Sequence, residues 1–145
     1  MRKTLVIVCI MAVCLSGCRS AKEAASTGNL CDIQWDLVAI DGREIDTAAC
    51  EKKPYIVFEQ DGSYYGNFSC NAFFGNYRQK KQKIELSYSG ATKMLCSRMN
   101  TEDAMMKALK KEIDSFTMSG NTLTLYSGKK ETMRFVNGGK PDYEE

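Results

Sequence analysis

Seven cysteines and no histidine bound what this chain can do chemically. Without imidazole there is no Ser-His-Asp or Cys-His relay, and the commonest metal ligand is missing. The acidic residues fall on expected turns and on one helix face, with no pair set among apolar residues as paired-carboxylate catalysis would want. Reactive chemistry is therefore left to sulfur. Cys70 and Cys96 are the candidates for a thiol oxidoreductase, because Cys96 stands a few residues before an expected helix and helix starts favour thiolates. The same pair also fits a structural disulfide, which is the favoured reading because reactive pairs usually sit close in sequence. Zinc held by Cys31, Cys50, Cys70 and Cys96 is a further alternative, but no C-x-x-C pair supports it, so no metal and no cofactor is expected.

The start of the chain decides the compartment. Arg2 and Lys3 precede an apolar run, Leu5 to Leu15, too short to span a bilayer comfortably. Leu15-Ser16-Gly17-Cys18 follows and resembles the bacterial lipobox, in which the signal is cut before the cysteine and the cysteine is acylated. Residues 1–17 are thus expected to be a lipoprotein signal peptide, with Cys18 the lipidation site; the alternative is an ordinary signal with an incidental cysteine. Each buried methylene of an acyl chain contributes about 0.8 kcal/mol and one chain anchors only marginally, so two or three chains are what would hold the protein at a membrane. Residues 18–30 are small and polar and read as a tether with a reach of roughly 20 Å. The expected location is the cell envelope, at the periplasmic face of the outer membrane.

Cleavage also sorts the cysteines. Cys9 and Cys14 leave and Cys18 takes the lipid, so four remain, an even number in an oxidising compartment. Three connectivities are open to them, and Cys70–Cys96 with Cys31–Cys50 is favoured. Loss of Arg2 and Lys3 takes Lys and Arg from 20 to 18, against 18 Asp and Glu. With no net charge and no polybasic run, the mature chain lacks the footprint of a nucleic-acid binder.

Short strands must position these residues. Ile33, Trp35 and Leu37 alternate up to Ile40, and Asp41-Gly42 marks a turn. Tyr55 to Gln60 and Ser63 to Phe68 form a hairpin through Asp61-Gly62. Phe73, Gly75 and Tyr77 alternate through about Arg78, with the glycine marking a bulge, a bend or a close approach. Ile84, Leu86 and Tyr88 alternate next, then Thr92, Met94 and Cys96. A helix over Asn100–Ser115, capped by Asn100 or Thr101, aligns Met105, Met106, Leu109, Ile113 and Phe116 on one side and Lys107, Lys110, Lys111 and Glu112 on the other. Strands around Phe116 and Met118, Leu123 and Leu125, and Met133 and Phe135 complete residues 31–137, leaving a polar tail, 138–145. This pattern predicts a mainly β (α+β) fold, a small antiparallel cracked β-barrel of seven to eight strands with one inserted helix.

Cys70-Asn71-Ala72-Phe73-Phe74-Gly75-Asn76-Tyr77 resembles the C-N-x-F-x-G-x-Y signature of the META domain, also called HslJ-like. Thr92-Lys93-Met94-Leu95-Cys96 matches that family's T-x-M-x-C motif, and the resemblance runs from about Ile33 to Phe135. Ser69 stands where the family commonly has glycine, and Ser97 where proline often follows the second cysteine. The resemblance implies a small cracked barrel similar to the lipid-anchored pilotins of secretion systems. It also implies an envelope lipoprotein of a family with heat-shock-induced members, linked to novobiocin resistance, motility and virulence, for which no catalytic activity is established.

Asn71 and Thr92 read as structural, their polar groups fixing backbone at a corner. Tyr65 and Phe74 are out of phase with their aromatic neighbours and are the candidate partner contacts. The methionines from Met94 to Met133 read as core filler, with a lipid-accepting cavity as the sharper alternative. The expectation is a non-enzymatic, membrane-anchored module that binds an envelope protein; a carrier of a lipid or small hydrophobic ligand is the alternative, and a thiol oxidoreductase the remote one.

Overall fold

A computed structural model describes residues 28–142. The expected signal peptide, Cys18 and the tether through residue 27 lie outside the described residues. In β1 (Gln34–Ile40), Trp35, Leu37 and Ala39 are buried, as their alternation requires. Asp41 and Gly42 then take φ values of 51° and 77°, the paired positive angles of the two-residue turn that Asp-Gly favours, and lead into β2 (Arg43–Glu44). A 3-10 turn (Thr47–Ala49) precedes β3 (Tyr55–Phe58), and β4 (Ser63–Asn67), β5 (Ala72–Lys80) and β6 (Lys83–Ala91) continue as a meander. Helix α1 (Asn100–Leu109) is followed by β7 (Ser115–Ser119), β8 (Thr122–Ser127) and β9 (Lys130–Asn137).

The strands form one antiparallel sheet in the order β2-β1-β3-β4-β5-β6-β7-β8-β9, and pairing of β1 with β9 closes it into a ring. Inside lie Trp35, Leu37, Phe58, Phe68, Phe73, Ile84 and Phe135, with Phe68 stacked on Phe73 at 4.2 Å between ring centroids. Met105, Ala108 and Leu109 of α1 are also buried there, and the helix packs against β1 and β9. The ring is thinnest between β6 and β7. There Lys83 pairs with Ser115, supported by the Ile84 N–H donating to the Asp114 carbonyl (3.2 Å) and the Phe116 N–H to the Gln82 carbonyl (3.0 Å).

The mainly β architecture with one inserted helix is as the pattern predicts, and the local differences have physical causes. Nine strands are present among the described residues, β2 being too short to leave a periodic signal. Thr92 to Cys96 is a loop, because its polar groups bond the Asn71 side chain in place of a neighbouring strand. The helix ends at Leu109, yet Ile113 stays 2% exposed, so the apolar stripe outlasts the helix that it suggested. Phe116 belongs to β7, and the N-cap is Met99, without a side-chain cap. Met94 is 56% exposed and is not core filler. Leu30, expected in the tether, is buried, and its carbonyl accepts the Trp35 indole N–H at 2.9 Å. Gly138 and Gly139, expected in the tail, are bonded to Gln34 through backbone groups at 2.8 and 3.0 Å.

Candidate functional site

β4 and β5 hold two glycines under two aromatic rings. Tyr64 lies opposite Gly75 and Phe73 opposite Gly66. A Cβ on Gly75 would fall 2.3 Å from the Ser87 carbonyl oxygen and 2.5 Å from the Tyr64 ring, and one on Gly66 would fall 2.1 Å from the Tyr55 carbonyl oxygen. Glycine is therefore required where the backbone is covered this closely. The β5–β6 register also shifts between Phe74 and Gly75, with Ser89 the extra residue on β6, so a bulge lies across from the glycine that makes the close approach. The Tyr64 hydroxyl, buried over Gly75, has no hydrogen-bond partner among the described residues, and burial raises its pKa.

The corner before β5 is fastened by a carboxylate from α1. Glu102 is 1% exposed and accepts the backbone N–H groups of Cys70 (3.1 Å) and Asn71 (2.9 Å) and the Asn71 side-chain amide (2.6 Å). That amide nitrogen also donates to the Met94 carbonyl (3.0 Å), while Asn71 Oδ1 accepts from the Thr92 hydroxyl (2.8 Å) and the Met94 N–H (2.7 Å). Asn71 thus uses two donors and two acceptor sites, the full capacity of a carboxamide. The Thr92 hydroxyl in turn accepts from the Ala72 N–H at 3.2 Å. A carboxylate that holds three donors and is shut from solvent fixes geometry.

Sulfur adds a covalent tie. Cys70 and Cys96 form a disulfide, using two of the four thiolates that a zinc site would need. The expected Cys31–Cys50 bond is not formed, and both are free thiols. Cys31 makes an isolated bridge with Phe58 and places its sulfur 3.1 Å from the Tyr77 hydroxyl, which donates to the Glu59 carbonyl at 2.8 Å. Cys50 follows the 3-10 turn, with its sulfur 3.6 Å from the Asp46 carbonyl oxygen. Each thiol is therefore engaged by a different segment. Tyr77 packs edge-on to Phe58 at 5.0 Å, and its pKa is raised by burial and then by its bond to Cys31.

Ser69 explains itself at this corner. Its φ of 133° belongs to the region that favours glycine. The serine is fully buried; its hydroxyl accepts the Glu51 N–H at 2.9 Å and its own N–H donates to the Asn67 side chain at 2.8 Å.

The sequence motifs thus converge: Asn71, Thr92 and Met94 form one network, and Phe73, Gly75 and Tyr77 face the interior of β5. Tyr65 and Phe74 are directly opposite each other on β4 and β5, with Phe74 58% exposed and Tyr65 half-buried. Glu102 was not among the expected site residues. A signal was present: Glu102 falls three, four and seven places before Met105, Met106 and Leu109, on the apolar stripe, where a carboxylate needs buried donors.

The META domain family model matches residues 28–139, most of the chain. The chain belongs to the META domain family. No curated relative matches the sequence. Solved structures give the fold independently. A crystal structure of a DUF4847 family protein from Bacteroides vulgatus has a TM-score of 0.58 at 15% identity, covering 77% of this chain and 96% of that one. An NMR structure of a protein from Burkholderia xenovorans has a TM-score of 0.60 at 23% identity, covering 75% and 83%. At these identities the likeness concerns architecture alone. In this META domain, Leu30, Gly138 and Gly139 lie within the matched span, in agreement with their packing.

Proposed function

We propose that this protein is a non-catalytic, lipid-anchored component of the cell envelope, held through Cys18, whose META domain binds a partner protein during envelope stress or antibiotic challenge. One observation carries the reading. The large apolar side chains exposed among the described residues are Phe74 (58%), Met94 (56%) and Leu95 (97%), all on segments adjoining the Asn71 network and the disulfide. Apolar groups presented on fastened backbone lose little entropy on binding, which favours a contact surface. The described chain enters beside Cys31 and Tyr77, and Asn71 lies farther along β5 by roughly 20 Å at the usual rise of about 3.3 Å per residue. Met94 and Leu95, held to Asn71, therefore lie at the end of β5 remote from where a tether from Cys18 would join.

Site-specific photocrosslinking in intact envelopes tests this reading, with the probe at Leu95 or Phe74 and mass-spectrometric identification of the product. A discrete protein adduct, lost in a Met94→Ser variant of unchanged stability, is the expected result. Adducts only to lipid, or none, would overturn it.

A further inference from the structure

A second surface, separate from the Met94–Leu95 loop, lies along β6. This strand is paired along its length with β5, but on its other side Lys83 alone pairs with β7. β7 begins level with the start of β6 and runs the opposite way, so on that side Glu85 to Ala91 has no strand beside it among the described residues. Backbone direction alternates along a strand. The Ile84 N–H points away from β5, to Asp114, and Leu86 and Tyr88 continue that phase before the irregularity opposite Phe74 and Gly75. Their N–H and C=O groups therefore face the gap, where no strand or loop among the described residues pairs with them. On the inner face of this edge, Leu86 and Tyr88 are half-buried, and the Lys110 ammonium of the segment after α1 sits 5.0 Å from the Tyr88 ring centroid. Lys110 makes no ion pair with a carboxylate among the described residues.

We infer that the free edge of β6 accepts an extended segment of a partner polypeptide as an added strand. The segment places an apolar side chain beside Leu86 and an acidic one against Lys110. Three features combine here: unpaired backbone groups supply the ladder, the half-buried inner face supplies an apolar site, and an uncompensated ammonium supplies a sign of charge. Among the described residues β6 beyond Lys83 carries the longest stretch of strand with one side unpaired, so addition there costs no existing ladder bond.

Hydrogen exchange on the full chain, with a synthetic alternating Val/Glu decapeptide and its Val/Lys counterpart as probes, tests the inference. In the free protein the Leu86 and Tyr88 amides should exchange at least tenfold faster than those of Glu85 and Ser87, which face β5. The Val/Glu peptide should protect Leu86 and Tyr88 at least tenfold, and Lys110→Glu should transfer that protection to the Val/Lys peptide. Leu86→Pro removes an N–H outside the β5–β6 ladder and should abolish protection at Tyr88; if it unfolds the domain, the Lys110→Glu exchange of preference decides alone. Met94→Ser should leave the protection intact, which separates this edge from the loop surface. Slow Leu86 and Tyr88 amides in the free protein, protection indifferent to peptide charge, or protection that grows with protein concentration without peptide would each overturn the inference. The last of these would assign the edge to a second copy of the chain.

Discussion

Glu102 of α1 and Asn71 of the β4–β5 corner meet at 2.6 Å inside the protein, joining the inserted helix to the strand that carries the signature residues. The pair is charge-assisted and shut from water, so its removal leaves donors without acceptors. Glu102→Ala strands the Cys70 and Asn71 N–H groups and one Asn71 amide hydrogen. A loss of about 3 kcal/mol or more in unfolding free energy is expected from unsatisfied buried donors. Urea denaturation measures it; a loss below about 1 kcal/mol would show that water replaces the carboxylate.

Gly75 and Gly90 form an internal control. Gly75→Ala drives a Cβ to 2.3 Å from backbone oxygen and 2.5 Å from the Tyr64 ring, so β5, β6 or the ring must shift. At Gly90 the nearest atom to an added Cβ is Phe74 Cζ at 3.5 Å, an ordinary contact. Gly75→Ala should cost roughly 2–3 kcal/mol by overpacking, and Gly90→Ala less than about 0.5 kcal/mol. Equal melting temperatures for the two variants would contradict this account of the signature glycine.

Ser69 separates backbone strain from hydrogen bonding. Ser69→Ala keeps the side-chain penalty at φ 133° and strands the Glu51 N–H, so it should destabilise by about 1–2 kcal/mol. Ser69→Gly loses the same bond while relaxing the backbone, and should come out closer to wild type by about 1 kcal/mol. Chemical denaturation of the two variants gives the order, and a glycine variant less stable than the alanine one would refute it.

What the sequence made legible depended on whether one side chain answers to its own neighbours or to distant ones. Strands such as β1 and β5 were readable because alternate residues face the core over a whole element, and Asp41-Gly42 because two positive φ values follow from those residue types. Thr92–Cys96 misled because its alternation is also that of a loop whose polar groups answer to Asn71, more than twenty residues away. Glu102 stands in the first turn of α1, where the helix dipole alone accommodates a carboxylate, and nothing local says that donors from Cys70 and Asn71 will meet it. Cys31 and Cys50 failed as a pair for a similar reason: an even count gives no geometry, and the chain carries Cys31 to Tyr77 and Cys50 to the 3-10 turn. The exposed apolar groups were half visible, since strand phase exposes Phe74, whereas the near-complete exposure of Leu95 needed the loop.

The disulfide and the Asn71 network hold the same loop, and removing one tests the other. Cys70 and Cys96 are separated by 26 positions, for which loop-closure entropy alone gives about 3–4 kcal/mol. Cys70→Ser/Cys96→Ser should lower the melting temperature yet leave the domain folded, with faster amide exchange confined mainly to residues 92–99. Exchange that stays slow there would mean that the hydrogen bonds to Asn71 position Met94 and Leu95 by themselves.

Asp41 ties the first hairpin to the segment after α1. Its carboxylate accepts two bonds from Lys111, at 2.7 and 2.8 Å, with Lys130 3.4 Å away. The Lys111 bond, acting against a smaller opposing effect of burial, holds the carboxyl below its ordinary value of 3.8. A folded-state pKa below the unfolded one means that the unfolded chain binds the proton more readily. The pair therefore contributes its stability above about pH 4 and loses it as pH falls through the lowered value. Both side chains are more than a third exposed, so screening keeps the contribution small, within about 1 kcal/mol. Lys111→Ala should raise the Asp41 titration midpoint, followed by carboxyl NMR shifts. It should also destabilise the protein at pH 7 while leaving its stability near pH 2 unchanged. An unmoved Asp41 midpoint would show that Lys130 alone sets the charge on that turn.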